Sequence, residues 1–398
     1  MKILLLTNRI PYPPLDGGSI ATYNMIMGLK EAGWDVSLFS LNTKKHYFNP
    51  VELPENFISQ PALTTCFVNT DVKVLPAFLN LFSSQAYNVS RFYHPDVEKA
   101  LEDLLRNSSF DAIQFEGLFM TPYLDKVRKY SGAPVLLRAH NVEHQIWERM
   151  ARQAAIPKKW YLSLLSSRLK SYEKAAIPRF DAVAAITSKD AGHFEELSPQ
   201  QKHIFPLPAG IDTSLLEPDF SQVEENAVFH IGSLDWLPNQ EGVRWFLENV
   251  WPEVKRKVPE AKFYLAGRNI PAELNRIKAE GVEVVGEVES AYEFIKQKGI
   301  MVVPLLSGSG IRIKILEGMA LQKAIVSTSL GAEGIECEHE KNILLADKAE
   351  TFARQIIRLL QDKDQMQAIG EKARSEMIKN HGRTAIAREI TEYYKRKL

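Results

Sequence analysis

Residues 307–335 combine the residue types that bind an anion. The run Ile300–Leu306 before them is short, apolar and largely branched, which predicts a buried strand. The turn Ser307–Gly310 follows, and then Arg312 and Lys314 at the start of a predicted helix. Glycines let the backbone approach a ligand, and the free N–H groups of a helix N-terminus carry partial positive charge, to which the two cations add. The pattern predicts a phosphate site.

Glu317 places a carboxylate one turn into this basic helix. Carboxylates accept paired hydrogen bonds from a ribose diol, so a nucleoside diphosphate would satisfy the glycines, the cations and the carboxylate together. The alternative is an ordinary strand–turn–helix connection with surface charges, because single glycine-rich turns are common.

Composition limits the class of protein. With 398 residues, 45% of them hydrophobic and 25% charged, the chain is expected to be a soluble globular protein of two domains. A formal net charge of zero argues against nucleic-acid binding. Cys66 and Cys337 lie far apart, which predicts reduced thiols in a cytoplasmic protein. The apolar start of the chain is too short for a signal peptide, and no run is long enough to span a membrane.

The first half of the chain alternates strand and helix patterns. Lys2–Thr7 and Asp35–Ser40 predict parallel strands joined by a helix that ends at Gly33. Further strands are predicted at 111–115, 134–138, 181–187 and 203–208, with helices around 77–82, 94–105 and 142–177.

Two loops of this half follow strands, at the sheet edge where open α/β folds bind ligands. Gly17 and Gly18 open the first helix, where they would meet a phosphate or allow close approach of a sugar; a flexible entry loop is the alternative. His140, Asn141 and Glu143 follow the strand at 134–138 and are placed to touch a ligand. The alternative is that these residues have a structural role: Asn141 would cap the next helix and His140 would pack against neighbouring residues.

Residues 149–179 are strongly basic. Eight Lys and Arg residues face a single acid, Glu173, and Trp160, Leu162 and Leu165 lie among them. This composition suits a helix on anionic lipid headgroups, although a solvated helix face with its apolar side in the core is the simpler interpretation.

The strand–helix pattern restarts after a hinge at Ala209–Asp212. It predicts two α/β domains, each a doubly wound parallel sheet: 1–208, completed by a C-terminal helix in 384–398, and 209–383. The second domain is predicted to contain strands at 227–231, 262–266, 282–285, 300–306, 324–328 and 343–345, and helices at 240–257, 350–361 and 363–380.

Taken in order, these motifs resemble the GT-B glycosyltransferases, and most closely family 4, the retaining enzymes that use nucleotide sugars. The resemblance implies two Rossmann-like domains facing across a cleft, with the acceptor on the first and the nucleotide sugar on the second. The motifs that carry it are Asp16-Gly17-Gly18, His140–Glu143, Leu207–Asp212, Gly232-Ser233 and Gly308–Ala320.

The resemblance also implies roles for individual residues. Arg312, Lys314 and His140 would be catalytic, with His140 at the donor sugar, and Asn141 and Glu143 would contact the acceptor or the sugar. The residues implied in donor binding are Gly17, Gly18, Gly232, Ser233, Gly308, Ser309, Gly310, Ile311 and Glu317.

Two departures from the family pattern bear on these roles. The family's usual signature is a pair of glutamates with seven residues between them, and Ser309 stands where the first would be. The loop Asp235–Asn239 lacks the cations that often bind the diphosphate. We therefore expect Arg312 and Lys314 to neutralise the diphosphate instead, and the Gly-Ser-Gly backbone to replace the missing glutamate's contacts.

The sequence thus predicts a retaining glycosyltransferase that needs no metal ion or other cofactor. It would move a sugar to a saccharide or lipid-linked acceptor in surface polysaccharide assembly, in the cytoplasm, with peripheral membrane contact through residues 149–179. The alternatives are a non-catalytic sugar-nucleotide-binding or scaffold protein on the same fold, which the missing glutamate favours, and a nucleotide-sugar epimerase of the same architecture.

Overall fold

The computed structural model describes residues 1–54, 57, 61–71, 80, 83, 85–221, 223–308 and 310–397. Two compact units divide the chain: Met1–Gly210 with Ile386–Leu398 forms unit 1, and Ile211–Ala385 forms unit 2. The helix predicted around 77–82, Asn80 excepted, and Ser309 lie outside the described residues.

Unit 1 is built on a seven-stranded parallel sheet in the order β3-β2-β1-β4-β5-β6-β7. Its interior strand β1 is buried from Ile3 to Thr7, as expected for a parallel strand covered on both faces. The strands are β1 Lys2–Thr7, β2 Asp35–Thr43, β3 Pro61–Val68, β4 Ala112–Glu116, β5 Val135–Ala139, β6 Ala182–Ala185 and β7 Ile204–Pro206.

Strand β3 is absent from the sequence prediction, which gave this sheet six strands. It pairs with β2 alone, at the edge of the sheet, so its residues need not all be apolar. Leu63–Cys66 are half-buried and Phe67 is exposed. An edge strand that contains two threonines and a cysteine gives a weak apolar pattern, which explains the omission.

The helical region predicted over 142–177 consists of two helices, α5 and α6, separated by Ala154–Pro157. Pro157 has no N–H to donate to a preceding carbonyl, so one helix cannot run through it undisturbed. The helices of unit 1 before its C-terminal segment are α1 Gly17–Glu31, α2 Tyr87–Ser90, α3 Pro95–Asn107, α4 Leu124–Tyr130, α5 Glu143–Gln153, α6 Lys158–Ala176 and α7 Ser188–Leu197.

Unit 2 contains the six predicted strands, all parallel, in the order β10-β9-β8-β11-β12-β13. They are β8 Ala227–Ile231, β9 Lys262–Ala266, β10 Val282–Gly286, β11 Ile300–Val303, β12 Ala324–Ser327 and β13 Leu344–Leu345. The prediction of an α/β fold with a doubly wound parallel sheet in each half is confirmed.

The helix predicted over 240–257 is also two helices, α8 and α9, which meet at Val250. Pro252 is the second residue of α9, a position where a missing N–H does no harm. The helices of unit 2 are α8 Leu237–Asn249, α9 Trp251–Lys257, α10 Ala272–Asn275, α11 Ala291–Lys296, α12 Ile313–Ala320, α13 Ala349–Gln361 and α14 Lys363–His381.

The last helix, α15 Arg383–Lys397, ends in the core of unit 1. Ile386, Ile390 and Tyr394 are buried in the same cluster as residues of β1. The Tyr394 hydroxyl donates to Gln114 Oε1 at 3.0 Å, which fixes the helix to the central strand β4.

Each sheet has one point where the strand order reverses, between β1 and β4 in unit 1 and between β8 and β11 in unit 2. The loops that leave two such strands diverge to opposite faces and open a crevice at the carboxyl edge, where ligands bind in open α/β sheets. Both candidate sites lie at these crevices.

Candidate functional site

The N-terminus of α1 is capped by a carboxylate. Asp16 Oδ1 accepts hydrogen bonds from the amides of Gly18 at 3.0 Å and Ser19 at 3.1 Å, and Arg9 binds both of its carboxylate oxygens. Burial opposes ionisation, but the hydrogen bond and charge of Arg9 hold the pKa of Asp16 below its ordinary value. The amides that a phosphate would need are therefore already used, so this geometry favours the close approach of a sugar at Gly17 and Gly18.

A buried carboxylate, Glu116, lies at the carboxyl end of β4 beside the strand reversal. Its Oε2 accepts from Arg138 Nη1 at 3.1 Å and from Thr22 Oγ1 at 3.2 Å. Burial alone would raise the pKa of Glu116, but the charge of Arg138 and the hydrogen bond from His140 lower it to about 2. Glu116 is therefore ionised at neutral pH and can only accept hydrogen bonds.

Glu116 also fixes the ring of His140. The distance from His140 Nε2 to Glu116 Oε2 is 2.7 Å, and because the carboxylate can only accept, Nε2 must carry the hydrogen. In the neutral imidazole this leaves Nδ1 as the acceptor. The His140 side chain is 16% exposed and lines a cavity, so a ligand hydroxyl can reach the ring.

Glu143 is the first residue of α5, and its carboxyl group is buried. Asn141 Nδ2 donates to Glu143 Oε1 at 3.4 Å. Burial and the neighbouring charge of Glu173 raise the pKa of Glu143 to about 8. At neutral pH this carboxyl group is mostly protonated and can donate a hydrogen bond.

Glu173, the single acid of the basic segment, comes from α6 and caps α5. Its carboxylate accepts from the amides of Glu143 at 2.9 Å and His144 at 3.1 Å, and contacts His144 Nδ1 at 2.5 Å. Asn141 does not cap this helix, since the residue before α5 is Val142 and makes no side-chain cap.

These side chains share one cavity of about 480 Å³ in unit 1. It contains the predicted residues Gly18, His140, Asn141 and Glu143, drawn from the loops after β1 and β5. Arg9 and Glu116 also line it, together with Lys45, His46, Asp71, Arg91, Phe92 and Phe119. Its polar groups of both signs beside two aromatic rings suit a polyhydroxylated ligand.

In unit 2, the loop after β11 meets the loop after β8. Gly308 has φ +115°, and a Cβ placed there would lie 2.8 Å from the Trp236 ring. Only glycine fits this backbone, because the conformation is left-handed and the indole occupies the space. The Arg312 guanidinium lies 5.5 Å from the Trp236 ring centroid.

Arg312 precedes α12 and is buried. Its guanidinium contacts the carbonyl of Gly310 and lies 3.5 Å from that of Leu330, in the loop after β12. Gly310 has φ +84°, and Ile311 beside it is half-buried. Arg312 thus joins the loops after β11 and β12 at the carboxyl edge.

Lys314 and Glu317 form an ion pair on α12, with Nζ 2.6 Å from Oε2. The other carboxylate oxygen of Glu317 accepts from the Tyr292 hydroxyl at 3.3 Å. Burial and the Glu317 charge raise the pKa of Tyr292 well above its ordinary value, so the hydroxyl stays a donor. The predicted phosphate cation and the predicted ribose carboxylate are therefore each other's partners.

Gly232 and Ser233 directly follow β8, in a tightly packed loop. A Cβ at Gly232 would lie 2.9 Å from Asn239 Nδ2, and that amide donates to the Ser233 carbonyl at 2.8 Å. The Ser233 hydroxyl donates to Asp235 at 2.6 Å. The glycine and serine predicted to bind the donor thus shape the loop that carries Trp236.

The sequence matches two family models. Residues 15–215, just over half of the chain, match the model of Glycosyltransferase Family 4. Residues 225–362 match a model described as glycosyl transferases, group 1. The chain belongs to glycosyltransferase family 4.

A curated relative extends over almost the whole of this family 4 chain. It is a 44.6 kDa protein in the cps region of Klebsiella pneumoniae, with 24% identity over 402 aligned residues that cover 96% of each sequence.

Solved structures share the fold at lower identity. Sucrose-phosphate synthase of Thermosynechococcus elongatus has a TM-score of 0.72 and 16% identity, covering 100% of this chain and 99% of that one. TarM of S. aureus has a TM-score of 0.69 and 12% identity, covering 99% and 98%. HepE of Anabaena, solved with UDP, has a TM-score of 0.67 and 12% identity and is covered completely. These are GT-B structures, so the predicted architecture of two Rossmann-like units is confirmed.

Several residues of the family 4 site escape sequence reasoning. Glu116 is the last residue of β4 and Trp236 lies in the loop after β8, both at a reversal point, and that position was the available signal. Tyr292 has no such signal, because it lies on α11 and reaches Glu317 only through the fold. Described residues include no helix long and apolar enough to cross a membrane.

Proposed function

We propose that this protein is a retaining glycosyltransferase that moves a sugar from a nucleoside diphosphate sugar to a saccharide or lipid-linked acceptor. The observation that carries the proposal is the meeting of the Gly308–Arg312 loop, Trp236 and the Lys314–Glu317 pair at the strand reversal of unit 2. Two structural relatives support the substrates: HepE was solved with UDP-glucose, and a TarM mutant with UDP and the saccharide fondaparinux.

The donor is proposed to bind by exchanging ion partners. A diphosphate near the N-terminus of α12 would attract Lys314 away from Glu317, because two phosphates carry more negative charge than one carboxylate. Glu317 would then be free to accept from the ribose hydroxyls, while Tyr292 holds its other oxygen. Arg312 and Lys314 would stabilise charge that develops on the leaving diphosphate, and one such group contributes about 2.7–4 kcal/mol. Ser309 and Ile311 stay proposed donor contacts through the loop backbone.

The cavity of unit 1 is proposed to hold the reacting sugar and the acceptor. His140, with Nδ1 left as an acceptor by Glu116, would bind a hydroxyl of the donor sugar. Protonated Glu143 and Asn141 would bind the acceptor, and Gly17 and Gly18 would let it approach the backbone. Glu116 is a positioning residue, since it acts through His140.

The remaining parts of the proposal concern the metal requirement, the biosynthetic role and the location of the protein. Arg312 and Lys314 would supply the positive charge that a metal ion could otherwise provide, so no metal or other cofactor is included. The Klebsiella pneumoniae relative in the cps region supports a task in polysaccharide assembly. The two free cysteines agree with a cytoplasmic location.

A donor screen followed by a turnover assay tests the function. Nucleoside diphosphate sugars are compared by thermal shift, because a bound donor stabilises the native state. The best donor is then assayed for release of nucleoside diphosphate, with and without saccharide acceptors, and the anomeric configuration of the product is read by NMR. We expect slow donor hydrolysis that acceptor accelerates, with retention of configuration and no effect of a chelator.

Substitutions test which residues are needed for turnover. Arg312→Ala and Lys314→Ala should each lower turnover by about 10²–10³, the effect of removing one charge-stabilising donor. Lys278→Ala, an exposed cation of unit 2, is the matched control and should keep full turnover. Donor binding without any turnover would identify the non-catalytic sugar-nucleotide-binding alternative, and donor isomerisation without acceptor the epimerase. Full turnover in both site variants would refute the proposed charge stabilisation.

A further inference from the structure

The connection between α5 and α6, together with the first three residues of α6, forms an exposed apolar tip over residues 154–160. Ile156 is 77% exposed and Trp160 is 76% exposed, more than any other large apolar side chain of the described residues except Val51. Between them lie Lys158 and Lys159, which are also exposed. We call residues 154–160 the hairpin tip.

Three other cations of the basic segment have partners within the protein, while Lys170 and Lys174 are exposed. Arg168 donates to the Asn80 carbonyl at 2.7 Å, Arg152 pairs with Glu148 at 2.7 Å, and Arg179 pairs with Asp125. Leu162 and Leu165, which the sequence placed among the cations, are buried. These two leucines therefore add no apolar surface for a membrane contact, whereas the hairpin tip does.

The chemistry of the hairpin tip fits one kind of partner. Trp is enriched at the membrane–water interface, where its ring is partly apolar and its N–H stays hydrated. Lysines beside it are attracted to anionic headgroups by about 1 kcal/mol each in favourable cases. An exposed Trp and Ile flanking two lysines match both the apolar and the charged layers of an anionic bilayer surface.

We propose that the hairpin tip docks on the surface of an anionic lipid bilayer. Helix α5 has 11 residues and so spans about 16 Å. Its first residue, Glu143, lines the cavity of unit 1, and its last residue meets the hairpin tip. A bilayer under the tip thus lies roughly one α5 length, about 16 Å along the helix, from the cavity.

This distance selects the acceptor class. A saccharide carried on a lipid would be presented at about the level of the cavity, whereas a free saccharide gains nothing from the docking. This second step rests on the proposed function, while the docking itself does not.

Vesicle sedimentation tests the docking. Purified full chain is mixed with vesicles of phosphatidylcholine alone, or with a third of it replaced by phosphatidylglycerol, and no substrate is present. Lys158→Gln with Lys159→Gln should weaken partitioning to anionic vesicles on the order of thirtyfold, the effect of losing two surface lysines. Ile156→Ser with Trp160→Ser should also weaken binding, and the remaining binding should be more sensitive to salt.

Matched controls come from unit 2. Lys372→Gln with Lys379→Gln removes the same charge from exposed positions of α14, and Leu215→Ser removes an exposed apolar side chain. Both controls should bind vesicles as the unchanged protein does. Far-ultraviolet circular dichroism and the melting temperature show that the tip variants are folded, which is expected because these side chains are exposed.

Three results would overturn the docking: no preference for anionic vesicles, tip variants that bind as the controls do, or a tip substitution that changes the molecular mass in solution. The last would make the tip a contact between copies of the chain. Donor hydrolysis by the unchanged protein is measured separately in vesicle-free buffer. If this protein binds vesicles but hydrolyses no donor, the proposed function is rejected and the docking is not.

Discussion

At the residue scale, several ionisable groups of the two candidate sites form ion pairs with one another. Asp16 pairs with Arg9, Glu116 with Arg138, and Lys314 with Glu317. Only the last of these pairs lies within one helix and is visible in sequence as a spacing of three residues. The others join residues brought together by the fold, and for the same reason the sequence identified His140 but not its partner Glu116.

Glu143 gives a pH-dependent prediction. Its pKa is raised to about 8, above the ordinary value of 4.5, by burial and by Glu173. The unfolded chain therefore loses this proton from about pH 4.5, whereas the native protein retains it until about pH 8. Glu143 lowers stability increasingly across this window, and the loss stops growing above pH 8. Glu143→Gln should thus gain stability relative to the unchanged protein as the pH rises from 5 to 8.

Denaturant unfolding at several pH values measures this difference. Glu148→Gln, a substitution at an exposed position of the same helix, is the control for removing a carboxylate. A stability difference between Glu143→Gln and the unchanged protein that stayed constant from pH 5 to 8 would mean that Glu143 titrates normally.

At the element scale, the strands of unit 2 were predictable because they are short, rich in branched residues and, except for the edge strand β10, mostly buried. All six were predicted, whereas the position of the reversal between β8 and β11 comes from the structure. The secondary-structure prediction failed where tertiary contacts determine the bounds or the existence of an element. Strand β3 is held at an edge by β2 alone, and the breaks at Ala154–Pro157 and Val250 interrupt otherwise continuous helical patterns.

The contact between the two loops of unit 2 gives an element-scale prediction. Gly308→Ala adds a Cβ at φ +115° that would lie within 3 Å of the Trp236 ring. We expect the free energy of unfolding to fall by about 1–3 kcal/mol, the range for local backbone strain. We also expect the thermal shift caused by a bound donor to decrease, because the loop and Arg312 move apart from Trp236.

Gly132→Ala is a suitable comparison, since a Cβ there meets nothing within 4 Å. It should leave both the melting temperature and the donor-induced shift nearly unchanged. If Gly308→Ala lowered the melting temperature but kept the full donor shift, the loop would be structural and the donor site would lie elsewhere.

At the scale of the whole molecule, two Rossmann-like units were predictable from a strand–helix pattern that restarts. The sequence could not show how the last helix is held. Tyr394 reaches Gln114 across 280 residues, and Trp34 Nε1 donates to Thr391 Oγ1 at 2.7 Å. Contacts between residues so far apart in sequence produce no local sequence pattern from which they could be predicted.

Loss of the Tyr394 side chain should therefore destabilise unit 1. Tyr394 is fully buried, and removing a large aromatic core side chain costs about 3–5 kcal/mol. We expect Tyr394→Ala to make unit 1 sensitive to protease, while a resistant fragment close to residues 211–385 survives. Lys395→Ala, at a more exposed neighbouring position, should digest like the unchanged protein. Equal sensitivity of both units in Tyr394→Ala would contradict the assignment of the last helix to unit 1.

The discontinuity of unit 1 has a consequence during synthesis. The chain leaves this unit at Gly210 and returns at Ile386, so a ribosome adding about 5–20 residues per second needs roughly 10–35 s to make the part between. Throughout that time the face of the sheet that Ile386, Ile390 and Tyr394 later cover stays exposed. The first unit to emerge is thus the last to be completed, and a nascent chain arrested before Ile386 displays an apolar surface that chaperones and proteases recognise.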